Sequence, residues 1–139
     1  MAKALLYSST LKDNQLDTIE TTAGASAKLY LFDGATPTIN AADAGTKVAT
    51  LTLPANWMAA ASGGSVSKTG TWAGTASGTG TSVNYFRIKT STAGTGASST
   101  TVQGTVGTST ASFDLRLDNT NVTSGQSITI STFTIAGGN

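Results

Sequence analysis

The side chains best able to do chemistry in this sequence are its seven carboxylates, because the other usual catalysts are missing. There is no histidine and no cysteine among the 139 residues. The absence of histidine removes the ordinary general base near neutral pH and the commonest metal ligand. Ser-His-Asp and Cys-His mechanisms are excluded with it, as are His- or Cys-bearing zinc sites. Two carboxylates suffice for a glycosidase, provided that they stand roughly 5–9.5 Å apart. Asp114 and Asp118 share a face only if one strand runs through both, and at ~3.3 Å per residue they would then be about 13 Å apart. Arg116 between them reads as a charge partner on an exposed face. Asp33 and Asp43 flank a loop, with nothing in the sequence to draw them together.

Other chemistries have weaker signals. Asp118, Asn119 and Asn121 form the densest oxygen cluster that calcium could use, but the ligand order of an EF-hand is absent and Asx-rich turns arise for backbone reasons. Gly78-Thr79-Gly80 and Gly94-Thr95-Gly96 lack the Gly-Lys-Ser/Thr of a P-loop and the third glycine of a dinucleotide turn, and neither leads into a helix. They read as hairpin tips. Trp57, Trp72, Tyr7, Tyr30 and Tyr85 could present rings to a sugar, which makes a carbohydrate-binding β-sandwich module the main functional rival. Against it, aromatics are only 6% of the chain, and most lie in strand patterns that a core would claim. Asn121-Val122-Thr123 is a glycosylation sequon, read as chance in a Thr-rich chain. The expectation is a protein that is not an enzyme and needs no cofactor and no metal.

Eight basic and seven acidic residues give a formal net charge of +1. The lysines and arginines are scattered, with only Arg87 and Lys89 close together, so no basic patch for nucleic acid is expected. Charged residues make up 11% of the chain, against the usual quarter. The polar surface must therefore be built from Ser, Thr, Asn and Gly, which other subunits can cover without desolvating ions. No run approaches the ~20 apolar residues of a membrane helix, and Met1 to Tyr7 turns polar too soon for a signal-peptide core.

The elements that must carry these residues divide the chain into an N-terminal arm and helix (1–24) and a β-domain (25–139). Leu11, Leu16, Ile19 and Ala23 recur at helical spacing. Thr10 can cap the start with Asp13 in the capping-box position, and Gly24 can end the helix, giving one helix near 10–22. Asp13, Asp17 and Glu20 then form an acidic face, either solvated or a docking face for a partner. Strands follow at 27–32, 47–53, 65–69, 71–76, 82–90, 101–106, 111–117 and 127–135. The 111–117 strand is expected to turn Ala111, Phe113, Leu115 and Leu117 inward. In the last strand, the shift of apolar parity between Ile130 and Phe133 suggests a bulge or burial on both faces. Trp57 lies in an irregular segment and reads as a core plug or, in the minority reading, a partner-facing anchor. Residues 91–99 read as a long flexible tip. About eight evenly spaced strands predict a mainly β, antiparallel sandwich, with a jelly roll as first choice and one N-terminal helix.

Several segments carry a resemblance. Gly74-Thr75-Ala76, Tyr85-Phe86-Arg87-Ile88, Gln103-Gly104-Thr105-Val106-Gly107, Asp114-Leu115-Arg116-Leu117 and the run from Ile128 to Asn139 resemble, in order, elements of small virion proteins of tailed bacteriophages. The chain is most similar to the jelly-roll cement (head-decoration) proteins of short-tailed phages. That resemblance implies a structural protein on the outer surface of the virion capsid, bound between subunits of the major capsid protein and to itself as a homo-oligomer. It carries over no catalytic residue; that neither nucleic acid nor membrane is a partner is expected from the scattered charge and the lack of a long apolar run. A tail, neck or fibre-associated virion protein is the alternative within the same group. The expected partner contacts are Leu5, Leu6 and Tyr7, an apolar arm that can order on a partner or close the end of the β-domain, together with Trp57.

Overall fold

The computed structural model describes residues 4–92, 100–109 and 111–137. Among these residues one helix, α1 (Ser9–Ala23), precedes nine strands: β1 (Lys28–Asp33), β2 (Thr46–Thr52), β3 (Ser65–Ser67), β4 (Trp72–Thr75), β5 (Val83–Lys89), β6 (Thr100–Gly107), β7 (Leu115–Arg116), β8 (Ser127–Ile130) and β9 (Thr134–Ala136). The mainly β, antiparallel class with a single N-terminal helix is as expected from the sequence. The strands form a five-stranded sheet of order β2-β1-β5-β6-β7 and two ribbons, β3-β9 and β4-β8. Every pairing is antiparallel except β6 with β7. This order is consistent with a β-sandwich, and the Ala49–Ala76 bridge continues the β4-β8 ribbon from the β2 edge of the main sheet.

The alternation expected in β1 holds on its inner face. Leu29 and Leu31 are fully buried opposite Leu51 and Ala49 of β2 and Ile88 and Phe86 of β5. Across this face lies an aromatic chain. Trp57 packs on Trp72 at 5.9 Å between ring centroids, Trp72 on Phe133 at 5.3 Å, and Phe133 edge-on to Phe86 at 5.6 Å. Such tilted and edge-on geometries are the favoured ones for aromatic pairs. Both indole N–H groups are satisfied, Trp57 Nε1 donating to the Gly24 carbonyl and Trp72 Nε1 to that of Thr69, each at 3.1 Å.

Three expectations about elements are corrected. Helix α1 starts two residues earlier than Thr10 would place it: the Ser8 hydroxyl accepts from the Leu11 N–H at 3.2 Å, while Asp13 is drawn to another segment. The 111–117 strand shrinks to Leu115–Arg116, with Ala111 and Phe113 exposed. Its alternation is real at Leu115 and Leu117, both buried, but the segment before them loops over β6. The final strand is two strands, β8 and β9, which pair with β4 and β3 respectively. The parity shift marked a change of ribbon, since Phe133 at the break turns into the core between them. Gly24 ends α1 as expected, at φ +83° with its N–H on the Glu20 carbonyl. Residues 93–99 of the expected flexible tip, including Gly94-Thr95-Gly96, lie outside the described residues.

Candidate functional site

All seven carboxylates have a structural partner. Three lie on α1 at i, i+4 and i+7, one stripe of a helix. Asp13 Oδ1 accepts the Gly64 N–H at 2.8 Å, Asp17 Oδ1 that of Ala61 at 2.8 Å, and Glu20 Oε2 that of Met58 at 2.6 Å. The acidic face, with Asp17 exposed and Asp13 and Glu20 half-buried, is engaged by the chain's own backbone. It seats the helix on the chain's own 58–64 segment, whose irregular backbone leaves N–H groups without ladder partners. Asp33 Oδ2 accepts from the Ser82 N–H at 3.2 Å, and Asp114 Oδ2 takes both the N–H and the hydroxyl of Thr105 at 2.8 Å. Asp118 pairs with Arg116 at 3.3 Å on an exposed edge, the charge partnership expected for Arg116.

The seventh carboxylate, Asp43, organises a buried charged cluster on the outer face of the five-stranded sheet. Arg87 and Lys89 alternate with Ile88 along β5, so they point away from the core, yet both are fully buried. What covers them is the segment between β1 and β2. Arg87 Nη1 donates to Asp43 Oδ1 at 2.8 Å and to the Ala41 carbonyl at 2.9 Å, Nη2 to the Thr38 carbonyl at 3.0 Å, and Nε to Gln103 Oε1 at 2.7 Å. Lys89 Nζ reaches both Asp43 oxygens, at 2.8 and 2.9 Å. Gln103 Nε2 donates to the Pro37 carbonyl, and the Tyr85 hydroxyl donates to the Ala44 carbonyl at 2.6 Å. The loop is thus strapped to the sheet by side chains of β5 and β6. Its ends meet at Gly34 and Gly45, where a Cβ on Gly45 would collide with the Asp33 carbonyl. The ring of Tyr30 lies 5.3 Å from Lys47 Nζ and 5.6 Å from Lys89 Nζ, within cation–π range. Burial, and secondarily the charge of Asp43, raise the Tyr30 hydroxyl pKa above its ordinary value. Burial also raises that of Tyr85, outweighing the opposing hydrogen bond from Ala44 and the Arg87 charge.

A second feature is concave and open. A groove of about 750 Å³ with a lining of mixed polarity lies between α1, β6 and β9. Phe86 and Phe133 line it, with Ile19 on the helix side, Val102 and Gln103 of β6, Ile135 of β9, and Phe113 and Asp114 from the segment looping over β6. The Phe113 ring lies against the backbone of Gly107, leaving no room there for any side chain.

The expected partner contacts separate. Leu5 and Leu6 stand out from the body, 72% and 74% exposed, and do not close the end of the β-domain. Tyr7 is half-buried. Trp57 is 0% exposed, so its assignment as a partner contact is corrected: it is the core plug, held by the Gly24 carbonyl. The sugar-platform aromatics fare the same way, with Trp72 and Tyr85 also buried and Tyr30 half-buried beneath lysines. The expected turn at Asp118 to Asn121 is a turn, Asn119 Oδ1 accepting the Asn121 N–H at 2.9 Å. Among the described residues no group of three or more candidate metal ligands occurs, and no helix is long and apolar enough to cross a membrane.

Sequence reasoning missed the buried cluster and the groove. The cluster had a signal: Tyr85, Arg87 and Lys89 share one face of the strongest strand, and a polar face on a strand in the middle of a sheet needs a cover. The groove had none, because its walls come from five separate parts of the chain. Comparison with protein-family models, curated proteins and solved structures yields no match.

Proposed function

We propose that this chain is a non-enzymatic structural protein of a virus particle, a cement or decoration protein that binds the outer surface of a phage head and bridges major capsid subunits. The observation that carries this reading is the disposition of charge. Each of the seven carboxylates is engaged within the chain, and Arg87 and Lys89 are sealed under the 34–45 segment. The surface left to neighbours is dominated by hydroxyls, amides and small residues, and it can be covered over a large area at little cost in ion desolvation. Carboxylates held by backbone N–H groups or buried cations are also poorly placed to move protons for a substrate, which favours a structural role over a hydrolytic one. On a lattice, many identical weak contacts add through avidity, so no single deep site is required.

The test is the composition and strength of purified heads. The protein is expected in near-stoichiometric ratio to the major capsid protein, spread evenly over the head. Heads lacking it are expected to break at lower temperature or lower force. Unchanged head stability, or label confined to the tail or neck, would overturn the proposal, the latter in favour of a tail-associated role.

A further inference from the structure

We propose that the 34–45 segment is a two-state strap, latched by Asp43, whose release turns a covered face of the main sheet into a cationic one. No residue of the segment belongs to the hydrophobic core. Its ties to the sheet are polar and run to side chains of β5 and β6. Asn84 Nδ2 donates to the Gly34 carbonyl at 3.2 Å, Gln103 Nε2 to that of Pro37 at 2.7 Å, and Arg87 to those of Thr38 and Ala41. The Tyr85 hydroxyl accepts the Ala44 N–H at 3.1 Å and donates to the Ala44 carbonyl, and Asp43 holds Arg87 and Lys89. Ala35, Thr36, Ile39, Asn40 and Ala42 are exposed. A segment with so little apolar burial opens at a lower free energy than the core.

The charges make the opening all-or-none. Asp43 serves two cations that are fully buried, so breaking one contact strands a buried charge, whereas lifting the whole segment returns all of them to water. Partial fraying is therefore the costlier route. The hinge lies at the two ends, where Gly34 and Gly45 meet at φ +141° and +75°. Glycines absorb such a rotation, while β1 and β2 stay paired up to Asp33 and Thr46. Opening uncovers a single strip. Tyr85, Arg87 and Lys89 share one face of β5, and Lys89 stands opposite Lys28 of β1. Lys47 and Lys89 both reach the Tyr30 ring on that face. Lys28, Lys47, Arg87 and Lys89 are thus brought together on the outer face of β1, β2 and β5, and the carboxylate that neutralises two of them leaves with the strap. The strap decides whether this face meets a neighbour as a loop of small polar residues or as a cationic strip. The inference stands on the geometry of the cluster and not on the proposed role in a particle.

Two measurements on the full chain read the latch. In native-state amide exchange at low urea, the N–H groups of Ala41 and Ala44, bonded to the Thr38 carbonyl and the Tyr85 hydroxyl, are expected to share one opening free energy and one urea slope. Both values are expected to fall below those of the β1 amides, the slope because lifting the strap exposes less surface than global unfolding does. The second measurement is acetylation by an N-hydroxysuccinimide ester, read by peptide mass spectrometry. Lys89 is expected to react about 100-fold or more slowly than exposed Lys47, because it reacts only from the open state. Asp43→Asn leaves both cations buried without their counter-charge and is expected to narrow that gap to about 10-fold or less. Strap amides that exchange only together with the core, or at two unrelated free energies, overturn the two-state strap. So does a Lys89 that reacts as fast as Lys47 in the parent, or one that stays equally protected in folded Asp43→Asn. Should that variant fail to fold, amide exchange of the parent alone decides.

Discussion

Asp43 is the residue on which most of the outer face depends. Its carboxylate is shared by two buried cations, and its own side chain is only 11% exposed. Removing one member of a buried ion cluster costs about 3–5 kcal/mol, because the remaining charges stay buried without compensation. Asp43→Ala is therefore expected to lower the unfolding free energy by about that much in urea titrations. Replacing Asp43, Arg87 and Lys89 together by apolar residues of similar size should cost less than Asp43→Ala alone, which distinguishes a stranded charge from lost packing. The tyrosines beside the cluster contribute to a loss of stability in alkali. Their hydroxyls ionise above the ordinary value in the folded state, so below about pH 10 both states keep the proton and this contribution is fully present. As pH rises past about 10 the unfolded chain loses protons that the folded chain retains, and stability falls. Melting temperature is expected to hold to about pH 9 and drop beyond about pH 10, with phenolate absorbance lagging that of free tyrosine. At this scale the sequence showed that Arg87 and Lys89 were neighbours, while Asp43, over forty positions away, became their partner only through the fold of the intervening loop.

At the scale of elements, α1 is held by polar anchors as much as by apolar burial. Only Leu16 and Ala23 are buried on it, and Leu11 is 43% exposed. Burying one leucine contributes about 1.5–3 kcal/mol, and a hydrogen bond to a charged group about 1.5–3 kcal/mol where it is sheltered. Glu20, half-buried and 2.6 Å from the Met58 N–H, is the sheltered one. Glu20→Ala is expected to destabilise by about 1–3 kcal/mol and to speed amide exchange at Met58. Asp17→Ala, at an exposed site, should cost less, and Leu11→Ala almost nothing. A second expectation concerns the groove wall. Gly107→Ala should displace the Phe113 ring, seen as a changed Phe113 side-chain signal in NMR with β5 and β6 intact. The helix was legible in the sequence to within two residues, as were its stop at Gly24 and most strands. The docking of its acidic stripe was not, because a backbone N–H carries no sequence label: any residue at 58, 61 or 64 other than proline offers the same donor.

At the scale of the whole molecule, the aromatic chain from Trp57 through Trp72 and Phe133 to Phe86 joins the loop after β2, the β4-β8 ribbon and the main sheet into one core. Trp57→Ala is expected to cost about 3–5 kcal/mol in thermal or urea unfolding, by opening a cavity and freeing the Gly24 carbonyl. Because charged residues are few and the tightest charged cluster, Asp43 with Arg87 and Lys89, is sheltered from solvent, added salt should change stability little, the exposed Arg116–Asp118 pair being worth no more than about 1 kcal/mol. A strong salt dependence in melting experiments would contradict that picture of the surface. By itself the sequence determined the β-rich class, the single helix, the shortage of charge and the want of a histidine or cysteine site, because composition and short-range periodicity encode all four. Only the tertiary structure decided that Trp57 is core, that the seven carboxylates are anchors, that β8 and β9 belong to different ribbons, and that an open groove faces outward while Leu5 and Leu6 stand exposed. Those features depend on contacts between residues distant in the chain, and local pattern does not specify which distant residues meet.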